Sequence, residues 1–236
     1  MTIAEQITRA KADYDEVYQA GKKAEYDRFW DSFQQNGNRT RYLFGFPGVC
    51  WTNETLKPKY PIKIEEGIRG CQQMFAYCNW NNAELLDYSL IKDKIDFSKC
   101  TIATNVFACA WIDNIDVDFS NCEQLTQTFA TNDDGNMPHI RLKVSEKAVF
   151  ERTFWYNSST KELIFTNDSV IGQNGFNVQW STKLSHDSLM SIINALKDYS
   201  EDTSGTVWTV TIGSENLAKL TDAELKIAWD KKWEVI

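Results

Sequence analysis

A short sequence occurs twice in this chain, and this repeat restricts the possible folds more than any other feature. Residues 95–100 read Ile-Asp-Phe-Ser-Lys-Cys and residues 117–122 read Val-Asp-Phe-Ser-Asn-Cys, so four of the six positions are identical. Around the second copy, apolar residues alternate with Asp116 and Asp118. This period of two is the pattern that a strand with one buried face requires. The copies start 22 residues apart, at 95 and 117, so the chain is read as a repeating structure.

Looser copies extend this repeat along the chain. Predicted strands begin at residues 62, 95, 117, 140 and 163, so successive copies are 33, 22, 23 and 23 residues apart. An aromatic residue follows each copy, and these residues are Phe75, Phe107, Phe129, Phe154 and Phe176. Such a period lies in the range of leucine-rich repeats, whose parallel strands stack into a solenoid. The predicted fold class is α/β: a leucine-rich-repeat-like solenoid with parallel strands, a long N-terminal helix and a helix-strand C-terminal cap.

The N-terminal residues predict one long helix that joins copies of the chain. Apolar or small residues recur at spacings of four and three, which is the heptad pattern of a coiled coil. The residues of this seam are Ile3, Ile7, Ala10, Tyr14, Val17, Gly21 and Ala24. We expect a homo-oligomer, such as a trimer. The alternative is a helix that lies along the solenoid.

The C-terminal segment departs from the repeat pattern. A helix is predicted to begin after Ser185 and to end near Tyr199, and residues 206–212 alternate like a strand. Thr221 begins a capping box that predicts a second short helix, and residues 232–236 could form a last strand. A solenoid needs both of its ends covered. The predicted domains are 1–36 (helical, coiled-coil oligomerisation leader), 37–61 (N-terminal cap), 62–184 (leucine-rich-repeat-like solenoid) and 185–236 (C-terminal cap).

The composition argues against several classes of partner. The net charge of −8 disfavours nucleic acid, because phosphate binding requires a basic surface. No apolar run reaches the roughly 18 residues of a membrane span, and the N-terminus lacks the basic and apolar regions of a signal peptide. We therefore expect no nucleic-acid binding, no membrane insertion and no signal peptide.

The residues that could carry catalysis are few. The chain has two histidines, His139 just before a predicted strand and His186 at a predicted helix start, where a capping role is expected. No phosphate loop, zinc motif or dinucleotide fingerprint is present. The acidic turn at 132–136 lacks the spacing of a calcium loop. No catalytic residue, metal site or cofactor is predicted.

The six cysteines are interpreted as free thiols. None follows residue 122, and Cys100 and Cys122 occupy the same position of two repeats, where leucine-rich solenoids place a buried small residue. Free thiols fit a reducing compartment, and disulfides are the alternative.

Several stretches of the chain resemble one known family. They include the Asp-Phe-Ser-Asn-Cys strand, the Phe-Ala-Cys turn that ends at Cys109, and the C-terminal run at 184–222. These residues resemble the BspA-like leucine-rich repeat proteins of gut Firmicutes and their prophages. The run at 18–31 is similar to the leader of short, signal-less members associated with phage or prophage structural genes. The resemblance implies a solenoid that binds a partner, on a cell surface or a virion, without chemistry.

The outward face of the predicted sheet is one candidate for binding. If neighbouring strands stack in register, charged residues form rows across the sheet, and Asp96, Asp118 and Arg141 fall in one row. Asp118 and Arg141 would then be neighbours about 5 Å apart. The alternative is that these charges only keep the face solvated.

A turn edge rich in tryptophan is the other candidate. Trp80, Trp111 and Trp180 fall four or five residues after the repeat aromatics, and Trp155 and Tyr156 add to the same side. Such side chains offer large, rigid area for contact with carbohydrate or protein. The alternative is that the indoles fill the interior of wide turns.

Together these inferences predict a non-enzymatic recognition or structural protein. We expect a phage or prophage tail-associated protein, receptor-binding or at the tail tip, located in the virion and, before assembly, in the bacterial cytoplasm. Its expected partners are copies of itself, other tail proteins and a host cell-surface glycan or protein. The alternatives are a bacterial cell-surface adhesin or protein-interaction module and, less favoured, a glycan hydrolase.

Overall fold

The computed structural model describes residues 73–79, 85–132 and 134–236. The predicted N-terminal helix with its seam residues, the predicted N-terminal cap and Trp80 all lie outside these ranges. Within them the fold is mixed α/β, with short parallel strands and few helices. The strands are β1 (Leu86–Asp87), β2 (Ile112–Asp113), β3 (Ile115–Phe119), β4 (His139–Val144), β5 (Glu162–Phe165), β6 (Trp208–Val210) and β7 (Trp233–Val235). The α-helices are α1 (His186–Ala195), α2 (Ser214–Leu217) and α3 (Asp222–Asp230), and two 3₁₀ helices cover Tyr88–Leu90 and Lys92–Lys94.

Three neighbouring strands form the largest sheet of the described residues. β3, β4 and β5 lie side by side in that order, and both pairs are parallel. Ile115 is paired with Ile140 and Ile140 with Leu163, so residues 25 and then 23 positions apart form one row. The parallel strands that the repeat predicts are confirmed.

One face of each of these strands is buried. In β3 the residues Ile115, Val117 and Phe119 are buried, whereas Asp116 and Asp118 are partly exposed. The same alternation continues through β4 and β5. Successive side chains of a strand point to opposite faces, so the apolar rows meet in the core and the charged rows lie on the other face. The predicted alternation is confirmed.

The register of the sheet differs from the predicted one by two residues. Arg141 is the partner of Asp116, and Lys143 is the partner of Asp118, so the predicted pairing of Asp118 with Arg141 is wrong. A shift of two residues leaves every side chain on the same face, and alternation in the sequence therefore cannot detect it. The observed register forms three buried apolar pairs instead of two: Ile115 with Ile140, Val117 with Leu142, and Phe119 with Val144.

The first copy of the repeated sequence forms less strand than the second. Ile95 and Phe97 are buried and Asp96 is exposed, but the β-sheet pairing at this position is limited to a single bridge residue, Ile95. The 3₁₀ helix Lys92–Lys94 runs directly up to Ile95, and the chain turns at Ser98, whose N–H donates to Asp96 at 2.9 Å. Too few extended residues remain there for a longer strand.

The aromatic residues that follow each repeat form a continuous row in the core. Phe75, Phe107, Phe129 and Phe154 stack with ring centroids 5.1, 5.5 and 5.3 Å apart and interplanar angles of 9, 4 and 13°. Phe176 extends the row at 5.8 Å with its ring tilted by 61°. All five side chains are fully buried. We call these five residues the phenylalanine ladder. In the sequence each of them lies 12–14 residues after the start of a repeat, and this spacing corresponds to one continuous row.

Backbone hydrogen bonds join the segments that carry the ladder. Three ladder residues donate their N–H to the carbonyl just before the next ladder residue: Phe75 to Val106, Phe107 to Thr128, and Phe129 to Thr153, at 2.7–2.9 Å. Buried threonine hydroxyls add to these links, since Thr128 donates to the Ala103 carbonyl at 2.6 Å and Thr153 to the Leu125 carbonyl. Consecutive segments of the chain are therefore neighbours in space.

The backbone bends sharply on both sides of the ladder residues. Two residues before a ladder phenylalanine, the φ angle is 51–54° at Gln73, Asn105, Gln127 and Arg152. Two residues after it, φ is 52–60° at Tyr77, Cys109 and Tyr156. This left-handed conformation costs roughly 1–2 kcal/mol for residues other than glycine, asparagine and aspartate. The packing of neighbouring segments has to offset that cost.

The first helix of the C-terminal segment is shorter than predicted. Ser185 is its N-cap, and the Ser185 hydroxyl accepts the Ser188 N–H at 3.2 Å. The helix ends at Ala195, not near Tyr199, because Leu196 forms a parallel bridge with Ile171. None of the helices in the described ranges has the length and apolar composition of a membrane span.

The rest of the C-terminal segment follows its sequence signals. The predicted capping box is confirmed: Thr221 accepts the Glu224 N–H at 3.3 Å, and the Glu224 carboxylate accepts the Thr221 N–H at 2.8 Å. β6 and the predicted last strand β7 pair in parallel. The Lys231 ammonium donates to three carbonyls around the end of α1, at 2.9–3.1 Å, and so ties α3 to α1.

The cysteines in the described ranges, Cys78, Cys100, Cys109 and Cys122, are buried, and the free thiols predicted from the sequence are confirmed for Cys109 and Cys122. A hydrogen bond with the Cys100 thiol, together with burial, raises the pKa of the Cys122 thiol. The Cys122 thiol is therefore a small core group and a poor nucleophile.

Candidate functional site

Three of the predicted aromatic residues form a cluster at the surface. The ring centroid of Tyr156 lies 5.0 Å from that of Trp155 and 5.1 Å from that of Trp180, with interplanar angles of 38 and 41°. Tyr156 is 38% exposed, and both tryptophans are partly exposed. We call these three residues the aromatic strip. Their rings form one bent apolar surface that solvent reaches.

Buried polar groups directly beneath the strip hold it in place. The Ser181 hydroxyl donates to the Asn157 carbonyl at 2.7 Å, which joins the residues that follow Tyr156 and Trp180. The Asn157 amide donates to the Phe129 carbonyl at 3.0 Å. Asn157 and Ser181 are 0% and 1% exposed, so both bonds are shielded from water. The two ends of the strip are thus fixed to the same core.

The backbone at the strip is strained. Tyr156 and Arg152 both have a φ of 52°, a conformation that bulky side chains rarely adopt. Phe154 between them belongs to the phenylalanine ladder, so the chain turns inward for the ladder and outward for the strip within five residues. Such strain persists only where the surroundings enforce it, and it often marks a functional position.

A cation lies against one end of the strip. The guanidinium carbon of Arg152 is 5.0 Å from the ring centroid of Trp155. This distance is within the range of a cation–π contact, which restricts the motion of both side chains. The result is a preorganised surface of indole, phenol and guanidinium groups, the three side-chain types that dominate the energetics of recognition surfaces.

Trp111 has a different environment from the strip. Its indole N–H donates to the Asp134 carbonyl at 2.6 Å, and Trp111 forms a parallel bridge with Asn136. Within the described ranges, no ring contact joins Trp111 to the strip. Trp111 thus links two neighbouring segments, and Trp80 lies outside the described residues.

The charged face of the sheet consists mainly of groups that pair with one another. Lys143 lies 3.7 Å from Asp118 and 3.6 Å from Asp168, measured from nitrogen to oxygen. Lys92 lies 3.4 Å from Asp116. These pairs are partly exposed, and such ion pairs contribute roughly 0–1 kcal/mol each to stability. The face carries both signs of charge, without a single-sign patch.

Two further predicted residues lie beside these pairs. Arg141 is exposed at the position opposite Asp116, and among the described residues no ion pair involves it. Asp96 accepts hydrogen bonds from the side chain and the backbone of Ser98, and these bonds hold the pKa of Asp96 below its usual range. Asp96 therefore stabilises a turn in its own segment.

Each of the two histidines is bonded to a carboxylate. His139 Nδ1 lies 2.7 Å from Asp113 Oδ1, and His186 Nε2 lies 2.8 Å from Glu224 Oε1. The cap of α1 is Ser185, so the capping role expected for His186 is wrong, and His186 instead joins α1 to α3. Residues 73–79, 85–132 and 134–236 contain no group of three or more His, Cys, Asp or Glu side chains placed to hold a metal.

Sequence reasoning did not identify the residues that support the strip. Asn157 and Ser181 are held by contacts between different segments, which no local pattern reveals, and Arg152 contacts Trp155 three positions further along its own segment. One signal was available: Tyr77 and Tyr156 both stand two positions after a ladder phenylalanine, and both have the left-handed φ. An aromatic residue at that position of the repeat marks the outward turn.

Comparisons of the chain with protein-family models, with curated proteins and with solved structures give no match.

Proposed function

We propose that this chain is a non-enzymatic recognition protein built as a leucine-rich-repeat-like solenoid of the BspA-like type. Its biological setting in this proposal is a phage or prophage tail, at the receptor-binding or tip position. The setting rests on the sequence resemblance, and the recognition role rests on the aromatic strip.

The solenoid part of the proposal is supported by the pairing between segments. Ile102 forms a parallel bridge with Gln124, 22 positions further along the chain, and Leu86 pairs with Ile112, 26 positions further along. The phenylalanine ladder crosses five consecutive segments. A stack in which each segment contacts its neighbours is the arrangement expected of repeat proteins.

The observation that carries the recognition role is the exposed and anchored aromatic strip. Tyr156 keeps 38% of its surface exposed although its backbone is strained, and glycine or asparagine would relieve that strain. A large aromatic side chain at such a position is costly for folding alone. Contact with a partner supplies a reason for it, because rigid aromatic groups bind with little loss of conformational entropy.

The charged groups favour binding over chemistry. A glycoside hydrolase needs two carboxyl groups that face a substrate with different pKa values. Asp116 and Asp118 instead each form an ion pair with a lysine on the partly exposed sheet face. A cell-surface adhesin remains the main alternative setting, and it would use the same strip.

Self-association completes the proposal. The heptad seam from Ile3 to Ala24 would join copies of the chain, so that several strips engage a surface together. Linking weak sites in this way raises the overall affinity without any new contact. Light scattering of the full chain tests this part: we expect a dimer or trimer that becomes a monomer in the double variant Ile7→Asp and Val17→Asp. A wild-type monomer would contradict it.

Binding to bacterial surfaces tests the recognition role. The fluorescently labelled full chain is mixed with intact Gram-positive cells, and the bound fraction is measured by flow cytometry. We expect saturable binding that Trp180→Ala reduces and that Trp229→Ala, a substitution of an exposed tryptophan outside the strip, leaves unchanged. If both variants bind as the wild type does, the strip is not the binding surface.

A further inference from the structure

We infer that the aromatic strip binds a carbohydrate, with the apolar face of a sugar ring packed against the exposed side of Tyr156 and the two tryptophans. This inference rests on the proposed recognition role and specifies its ligand. It follows from the arrangement of the rings, the polar groups beside them and the small extent of the apolar surface.

The spacing of the rings disfavours a cationic ligand. Adjacent centroids are 5.0 and 5.1 Å apart, so the rings pack against one another and leave no space between them. A cage for a quaternary ammonium group needs ring faces that surround the cation, and this arrangement does not provide them. At this distance the ring faces overlap in part, so the strip offers a ligand one narrow surface formed by the exposed parts of the three rings. One sugar ring can pack against that surface.

Polar side chains next to the strip suit a ligand rich in hydroxyl groups. The Arg152 guanidinium lies over Trp155 and has several N–H donors in a fixed plane. Ser158 and Gln179 are exposed and lie within two residues of Tyr156 and Trp180 in the chain. Apolar faces for stacking, combined with donors and acceptors at the border, match the two kinds of surface that a sugar presents.

The small extent of the apolar surface argues against a protein partner. A stable protein interface buries roughly 800 Å² on each side and has an apolar core with a polar rim. Of the other exposed large apolar side chains in the described part of the chain, Val149 precedes Tyr156 by seven residues, and the rest belong to different segments: Leu90, Val207, Ile227, Trp229 and Ile236. The strip is therefore a narrow group of rings, and a sugar fits such a group better than a broad protein surface does.

An oligosaccharide array tests this inference. The full chain is applied to immobilised hexasaccharides of glucose, galactose, mannose and N-acetylglucosamine in α and β linkage. We expect binding to at least one of these series. Tyr156→Asn and Trp180→Ala should each weaken that binding by about tenfold or more, the effect of losing a central aromatic contact. Trp229→Ala, with its indole 61% exposed on α3, is the matched control and should bind like the wild type.

Two results would overturn the inference, and they have different meanings. In the first, the wild-type chain binds cells but not the array, and treatment of the cells with trypsin abolishes that binding. This result would indicate a protein partner and leave the recognition role intact. Array binding that Tyr156→Asn and Trp180→Ala do not weaken would place the sugar elsewhere. Circular dichroism of each variant shows whether it is folded. If Trp180→Ala does not fold, Tyr156→Asn supplies the test.

Discussion

The molecule contains two rows of aromatic rings with nearly the same spacing. In the phenylalanine ladder, consecutive centroids are 5.1–5.8 Å apart, and in the aromatic strip they are 5.0–5.1 Å apart. The ladder is fully buried and its first four rings are close to parallel, whereas the strip is tilted and partly exposed. Ring spacing alone thus does not reveal the role of an aromatic row. Exposure to solvent distinguishes a row that stabilises the fold from one available to a partner.

The two rows meet in one short segment, which makes the comparison testable. Phe154 belongs to the ladder, and Trp155 and Tyr156 follow it directly in the strip. Substitutions within and around this segment should therefore separate stability from recognition. We expect their effects on the free energy of unfolding to differ widely.

The largest effect is expected for Phe129→Ala. Phe129 is fully buried between Phe107 and Phe154, so its removal leaves a cavity in the middle of the ladder. The free energy of unfolding should fall by about 3–5 kcal/mol. Urea unfolding followed by circular dichroism measures it, with Val149→Ala as a control at a position that is 44% exposed. A loss below about 1 kcal/mol would show that the ladder does not hold the fold together.

An intermediate effect is expected for Thr153→Val. Thr153 is buried next to the ladder, and its hydroxyl donates to the Leu125 carbonyl. Valine has nearly the same shape but leaves that buried carbonyl without this donor, which should cost about 1–3 kcal/mol. The matched control is Thr126→Val, where the hydroxyl bonds to Glu151 at the exposed surface at 3.4 Å. Equal losses in the two variants would mean that burial of the bond is unimportant.

A smaller effect is expected on the charged face. Lys143→Ala removes the contacts with Asp118 and Asp168, both at exposed or partly exposed positions. The free energy of unfolding should fall by less than about 1 kcal/mol, and roughly 1 M salt should remove most of the difference. Unfolding curves at low and high salt measure this. A larger loss that persists in salt would mean that the charged face is part of what stabilises the fold.

The sequence predicts those parts of the fold that repeat. The phenylalanines that follow each predicted strand form one row, because every segment places the same side chain in the core. Alternation predicted the buried face of β3, β4 and β5. The register was missed, because the same face of β3 is exposed whether Asp118 pairs with Arg141 or with Lys143. The two registers differ only in the number of apolar pairs that they bury.

The candidate site was predicted less completely than the fold. The sequence identified Trp155, Tyr156 and Trp180 as members of one edge, but it placed Trp111 with them, and Trp111 bonds instead to the Asp134 carbonyl. Tyrosine is a poor predictor of a left-handed φ, so the strain at Tyr156 could not be anticipated. The supporting bond from Ser181 to Asn157 joins residues 24 positions apart and leaves no local trace in the sequence.

The smallest effect on stability, and the most direct test of the account, is expected for Tyr156→Asn. Asparagine adopts the left-handed φ readily, so the substitution should recover about 1 kcal/mol of backbone strain. The lost ring contacts with Trp155 and Trp180 should cost a similar amount, about 0.5–1.5 kcal/mol.

The measurement is urea unfolding of Tyr156→Asn beside the wild type. The account predicts two curves whose free energies of unfolding agree to within about 1 kcal/mol, since the two contributions oppose each other. A loss of about 3 kcal/mol or more, as expected for a ladder residue, would contradict it. Tyr156 would then be part of the core that holds the segments together, and the strip would no longer be a surface kept for a partner.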